Sequence, residues 1–197
     1  MKLIVGLGNP GLIYSASRHN IGFRVIKTLT GALKIPLKRE RLVYALVGKG
    51  SYGGQTIVFA LPQTFMNLSG QAVKALVKKF KVEPEDLLVV CDDLDLDLGR
   101  IKIRPHGSSG GQRGLNSIIE VLGRSDFNRL RVGIGRPPRS LDAADYVLAS
   151  FAKKEKAIVE DVNTLAGDCI LSWAEKGIVK TMELFNVSLP SGREEGK

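Results

Sequence analysis

His19 is one of two histidines in a chain of 197 residues. It lies in Tyr14-Ser15-Ala16-Ser17-Arg18-His19-Asn20-Ile21-Gly22, shortly after the glycine-rich turn Gly6-Leu7-Gly8-Asn9-Pro10-Gly11. Imidazole is the side chain best suited to take a proton near neutral pH. Glycines next to it let a ligand approach the main chain closely. Other polar segments stand where a simple core needs none. Asn9 ends the first apolar run, Phe65-Met66-Asn67 precedes a helical stripe, and Asp92-Asp93 follows an apolar run ending at Cys91. A carboxylate at the end of a buried strand sits where open α/β sheets form ligand clefts. Gly107-Ser108-Ser109-Gly110-Gly111 supplies backbone donors at the positive end of another helix. Taken singly, each segment reads as a turn, a cap or a solvated acid. Together they outline a site for general-base chemistry.

The elements that must position these groups follow from hydrophobic periodicity. Lys2 to Leu7 reads as a buried strand, and Ile21, Val25, Ile26 and Leu29 mark a helix over 20–33. Leu42 to Lys49 and Thr56 to Leu61 read as strands joined through Gly53-Gly54. Asn67-Leu68-Ser69 offers caps for a helix striped by Val73, Leu76, Val77 and Phe80. Leu87 to Cys91 is a further buried strand, followed by an acidic turn. Arg100 to Arg104 alternates basic and isoleucine residues like a half-exposed strand, Leu115 to Leu122 reads as a helix, and Leu130 to Ile134 as a strand. Lys153 to Trp173 and Ile178 to Phe185 read as two amphipathic helices. Strands alternating with helices place the chain in the α/β class with a largely central sheet. The expected organisation is one domain over residues 1–187 and a polar, frayed tail over 188–197.

The formal charge of +9 points to a polyanionic partner, while the apolar share of 44% and charged share of 25% are ordinary for a globular chain. Arg100, Lys102, Arg104, Arg113, Arg124, Arg129, Arg131, Arg136 and Arg139 are opposed in their stretch only by Glu120 and Asp126. Guanidinium groups hold phosphate through paired hydrogen bonds, so convergence of this run on one face would make a nucleic-acid surface. Cys91 and Cys169 show no disulfide framework. Met1 leads straight into strand-like sequence, and no apolar run reaches the length of a membrane span. A cytoplasmic protein with reduced thiols is the expectation. Asp93, Asp95 and Asp97 read as a solvated acidic loop, and Ser17 and Ser69 as turn or cap residues. His106 has no cysteine or histidine neighbour at ligand spacing, which argues against a metal site.

Gly6, Gly8 and Gly11 also satisfy the G-x-G-x-x-G spacing of dinucleotide-binding proteins. Pro10 lies within the turn, however, and no acid follows about twenty residues later to hold a ribose hydroxyl. Lys27, Lys34, Lys38 and Arg39 populate that region instead, so binding of NADP through its extra phosphate stays open as an alternative.

Five motifs in order carry a resemblance to the bacterial peptidyl-tRNA hydrolase family. They are Val5 to Gly11, Arg18-His19-Asn20 with Gly22, Thr64 to Gly70, Asp92-Asp-Leu-Asp-Leu96, and Gly107 to Gly114, and the likeness runs from Lys2 to about Phe185. The resemblance implies a single domain with a central twisted mixed β-sheet surrounded by α-helices. It also implies a monomeric, metal-independent and cofactor-free enzyme that cleaves the ester joining a peptide to the terminal ribose of tRNA. His19 would activate water and Asp92 would orient it. Asn9 and Asn67 would supply amide contacts, with Asn67 near the developing oxyanion. Tyr14 and Met66 would line the cleft, and Lys102, Arg104 and Arg131 would grip tRNA phosphates.

The chain departs from the family pattern at Gln112-Arg113, where a His-Asn pair is usual, and more mildly at Cys91 and Ser17. Arg113, at the terminal nucleotide or the rim, and Asn116, as a compensating amide, are both carried as candidate substrate contacts. That departure keeps a second class in view, an RNA-binding protein on the same scaffold with little or no hydrolysis. The retained His19 and Asp92 favour the enzyme.

Overall fold

A computed structural model of the chain describes residues 1–186; the expected tail at 188–197 lies outside them. The strands are β1 (Lys2–Gly6), β2 (Lys38–Glu40), β3 (Ala45–Tyr52), β4 (Gln55–Pro62), β5 (Leu87–Asp93), β6 (Ile101–Arg104) and β7 (Asn128–Gly133). They form one seven-stranded sheet in the order β2-β3-β4-β1-β5-β7-β6. The central pairs β4–β1, β1–β5 and β5–β7 are parallel. The outer pairs β2–β3, β3–β4 and β6–β7 are antiparallel, so the sheet is mixed.

The helices are α1 (Ile21–Ala32), α2 (Ser69–Phe80), α3 (Arg113–Leu122), α4 (Ala143–Leu148) and α5 (Lys156–Phe185). Because side chains alternate along a strand, β1 and β5 feed two separate cores. Ile4, Leu88 and Val90 pack with Ile21, Val25 and Ile26 of α1 and with Val162, Ile170 and Trp173 of α5. Leu3, Val5, Val89 and Cys91 pack on the opposite face with Val73 and Leu76 of α2 and Leu115 and Ile118 of α3. Parallel strands covered on both faces read as continuous apolar runs, which is why β1 and β5 are apolar at nearly every position. Cys91 and Cys169 are buried free thiols in different cores, on opposite faces of the sheet. Burial pushes the Cys169 thiol up to about 12 and that of Cys91 higher still.

Several expected boundaries move. The strand expected from Leu42 does not form there, because Arg41–Val43 is a 3-10 turn and Tyr44 adopts a left-handed φ of 52°. The strand resumes at Ala45, and the charged residues before the turn form the unforeseen β2. The expected side-chain caps of α2 are absent from its N-cap, Leu68. Ser69 Oγ instead donates back to Met66 O at 2.8 Å, and Gly70 N donates to Ser117 Oγ of α3 at 3.0 Å. A helix donor left over at the start of α2 is thus satisfied from a different helix. The two C-terminal helices run as one element broken at Gly177, whose φ of 77° turns the chain. Beyond that break Asn186 bonds both backbone groups of Ile103 on β6, each at 2.9 Å. Helix α4 was not foreseen; Asp142 caps it by accepting from Ala144 N at 2.7 Å.

Candidate active site

His19 sits in a 3-10 turn, Arg18–Asn20, that leads directly into α1. Gly22 brings this turn down onto the sheet. A Cβ there would lie 2.4 Å from Val90 O and 2.6 Å from Leu7 N, so no larger residue fits. β5 carries Asp92 to the same end of the sheet, not into a following turn. His19 Nδ1 lies 2.8 Å from Asp92 Oδ2, and both residues are buried, at 7% and 4% exposure. An ionised Asp92 accepts the Nδ1 proton, leaving the Nε2 lone pair as the basic site.

The amides are arranged by reciprocal bonds. Asn9 N donates to Asn20 Oδ1 at 2.8 Å, and Asn20 Nδ2 donates to Asn9 O at 2.9 Å. Asn9 Oδ1 accepts from Met66 N at 2.7 Å, which leaves its amide nitrogen for a ligand. Asn20 therefore fixes the turn that presents Asn9. Asn67 is exposed in the 3-10 turn Met66–Leu68 and borders the cleft.

Gln112 was given no role by the sequence, yet it completes the carboxylate's contacts. Its Nε2 donates to Asp92 Oδ1 at 3.0 Å and its Oε1 accepts from Leu115 N at 2.7 Å. The glycine loop before it is held by Arg129, which is only 2% exposed. Arg129 donates to the carbonyls of Gly107, Ser108, Ser125 and Phe127. Burial lowers the pKa of this guanidinium from its ordinary value.

Helix α4 forms one wall. Arg18 N donates to Ala149 O at 3.0 Å, and the Arg18 guanidinium lies 4.3 Å from the Tyr146 ring and 4.7 Å from the Phe151 ring. Two further bonds, of 3.2 and 2.7 Å, join it to Glu155. The residue preceding the histidine thus clasps the wall of the cleft.

These elements enclose a cleft of about 600 Å³. Of the residues selected from sequence, Asn9, Tyr14, His19, Met66, Asn67, Asp92, Arg113 and Arg131 line it, and Ala143, Ala144, Val147 and Leu148 of α4 add an unforeseen apolar side. Asn116 lies apart, in a smaller adjoining hollow with Asn67 and Arg113, and donates to Glu120 Oε1 at 2.6 Å. Lys102 and Arg104 do not border the cleft; they alternate with buried isoleucines on β6. Register sets Lys102 opposite Arg131 and Arg104 opposite Arg129.

Two expectations are corrected. Asp93 is not part of a solvated loop: it is 5% exposed, its Oδ1 accepts from Asp95 N, and its Oδ2 lies 2.7 Å from Arg131 Nε. Asp95 and Asp97 are exposed, as expected. The basic run does not converge as a whole either. Arg129 is internal, Arg124 is paired with Asp126, and Arg136 with Asp95. The dinucleotide alternative loses its physical basis. A Cβ on Gly6 would meet Gly22 O at 2.4 Å and one on Gly8 the Phe23 ring at 2.6 Å, so these glycines serve helix packing. The helix also starts only at Ile21, well beyond the glycines, and its Phe23 N donates to Leu7 O at 3.1 Å, so that first-turn donor is taken up by the turn itself. Among the described residues no group of His, Cys, Asp and Glu is arranged to hold a metal ion, and no helix is long and apolar enough to cross a membrane.

Comparison with known proteins agrees with this architecture. The sequence profile of the family described as Peptidyl-tRNA hydrolase matches residues 3–194. A relative named peptidyl-tRNA hydrolase from Desulforudis audaxviator is 48% identical over 94% of this chain and 93% of its own length. Another of that name from Desulfitobacterium hafniense is 44% identical over 94% of this chain and all of its own. The crystal structure of peptidyl-tRNA hydrolase from Acinetobacter baumannii superposes with a TM-score of 0.89 at 33% identity, covering 97% of both chains. The mixed sheet, the ordered motifs and these matches agree, and the chain belongs to the peptidyl-tRNA hydrolase family.

Proposed function

We propose that the protein hydrolyses the ester bond of peptidyl-tRNA free of the ribosome, releasing the peptide and returning tRNA for reuse. The observation that carries this reading is the 2.8 Å contact between His19 Nδ1 and Asp92 Oδ2 at the cleft. With Nδ1–H held by Asp92, His19 Nε2 takes a proton from water as the water oxygen attacks the ester carbonyl. Asp92 stabilises the imidazolium that forms. Collapse of the tetrahedral intermediate breaks the bond to the ribose oxygen, which takes the proton back from His19. The Asn67 amide stabilises the oxyanion while it exists, and the free amide nitrogen of Asn9 holds the substrate carbonyl. Tyr14 and Met66 pack against the terminal adenosine and the ester, and Arg113 contacts the terminal nucleotide at the rim. Asn116, beside Arg113 in the adjoining hollow, extends the polar surface for substrate.

Lys102 and Arg104, with Arg131 on the same face, engage tRNA phosphates. The net charge of +9 supports such a partner. In this reading the protein acts as a monomer in the cytoplasm, without metal or cofactor.

The test is release of free tRNA from N-blocked aminoacyl-tRNA. Turnover by the wild type, abolished in His19→Ala with tRNA affinity retained, is the expected result. Binding without turnover in the wild type would overturn the hydrolase reading in favour of an RNA-binding protein.

A further inference from the structure

We infer that Gln112 is a positioning residue for Asp92, an inference that rests on the hydrolase reading above. Gln112 is the N-cap of α3 and has an extended backbone, φ −71° and ψ 116°. N-caps are ordinarily short side chains such as serine, threonine, aspartate and asparagine. Glutamine is longer by a methylene than asparagine, and here the extra reach lets one amide serve two groups. Its oxygen caps Leu115 N at 2.7 Å while its nitrogen reaches Asp92 Oδ1 at 3.0 Å.

The direction of this amide is fixed by chemistry. Leu115 N–H is a donor only, so Oε1 must face it and the NH2 group must face the carboxylate. A reversed amide would oppose donor to donor at α3 and acceptor to acceptor at Asp92. Both oxygens of a nearly inaccessible carboxylate are thereby engaged, Oδ2 by His19 and Oδ1 by Gln112. Without the second bond Asp92 keeps an unpaired buried oxygen and is free to turn about its terminal torsion, which carries the imidazole with it. The amide does not ionise, so this support is the same throughout the range in which histidine titrates.

The position of Gln112 is in turn set by the loop before it. Gly110 and Gly111 have φ of 58° and 81°, and Gln112 N donates to Ser109 O at 3.1 Å. Arg129 fixes the start of that loop through the carbonyls of Gly107 and Ser108. The inferred chain of support runs from Arg129 through the glycine loop to Gln112, then to Asp92 and His19.

Gln112→Ser separates capping from positioning, because serine caps helices well but is too short to reach Asp92. The expected result is a modest fall in melting temperature from the partner lost by Asp92 Oδ1, an unchanged KM for N-blocked aminoacyl-tRNA, and kcat lower by about tenfold, the scale of one hydrogen bond to a charged group. In an Asp92→Ala background the same substitution should cause no further loss, since its effect passes through that carboxylate. A second readout does not depend on turnover. The His19 Nδ1–H proton resonance, assigned with His106→Ala because the chain has two histidines, should shift in Gln112→Ser. An unmoved resonance, a wild-type kcat, or a loss confined to KM would overturn the inference. An inactive wild type would instead overturn the hydrolase reading, and the resonance would still report whether Gln112 sets the His19–Asp92 pair.

Discussion

Arg131 Nε lies 2.7 Å from Asp93 Oδ2, so a cation assigned to tRNA phosphate is already engaged by a buried carboxylate. The N–H does not point squarely at that oxygen, which makes the contact one of charge more than of directed hydrogen bonding. Arg131 therefore has two duties, neutralising Asp93 and facing the cleft, whereas Lys102 opposite it on β6 has no carboxylate partner among the described residues.

The two cations should behave differently when removed. Lys102→Ala should weaken tRNA binding and reduce the slope of log affinity against log salt by about 1, without loss of stability. Arg131→Ala should weaken binding and also destabilise the fold by about 1–3 kcal/mol, because Asp93 is left buried and unpaired. Filter binding at several salt concentrations, with thermal denaturation alongside, distinguishes the pair. Equal stability of the two variants would show that Asp93 does not depend on Arg131.

Asp92→Asn should lower kcat by about 10²–10⁴-fold while leaving tRNA affinity intact. The carboxamide can turn its NH2 toward His19 Nδ1, which selects the tautomer that presents N–H, not a lone pair, to the cleft. Single-turnover ester hydrolysis checks this. A rate near wild type would remove Asp92 from the reaction.

Glu155 gives the fold an acid-sensitive clasp. Burial alone would raise its pKa, but the Arg18 hydrogen bonds and the bond from Ala152 N outweigh it, and the net direction is downward. A carboxylate with a depressed folded-state pKa contributes stability that is complete above its unfolded value. That contribution is lost as pH falls through the folded value. The difference in melting temperature between wild type and Glu155→Gln should be full at pH 7 and shrink below the ordinary glutamate value of about 4.3. A pH-independent difference would contradict the assignment.

Two glycines of α1 should respond oppositely to alanine. Gly31→Ala meets nothing within 4 Å in an exposed helical position and should stabilise by about 0.5–1 kcal/mol. Gly22→Ala drives a methyl into the main chain of β5 and of Leu7, so it should destabilise the protein and displace His19. Thermal denaturation with activity measured at low temperature tests both.

The strands of the central sheet and helices α1, α2, α3 and α5 were legible because their apolar spacing reflects burial on one or both faces. β2 was not, since Lys38-Arg39-Glu40 is an outer strand that buries almost nothing and leaves no hydrophobic signal. Helix α4 is short and only Tyr146 in it is buried, so its one local cue was the Asp142 cap. The residues around His19 were marked by motif order, whereas the partners that hold them depend on tertiary closure. Asp92 and Gln112 are brought together by α3 docking on the sheet, and Arg18 meets Glu155 across 137 positions of sequence. The basic run misled because charge counts do not register pairing. Asp93, read as a solvated acid, is the counter-ion of Arg131.

The side-chain amide of Asn186 occupies the outward N–H and C=O of Ile103 at the last strand of the sheet. An outer strand with both groups vacant is a template for joining another chain, and one asparagine closes it at its middle. The break at Gly177 thus does more than redirect a helix. It sets Asn186 against β6, the strand bearing Lys102 and Arg104, and fills a backbone position through which an outer strand could otherwise pair.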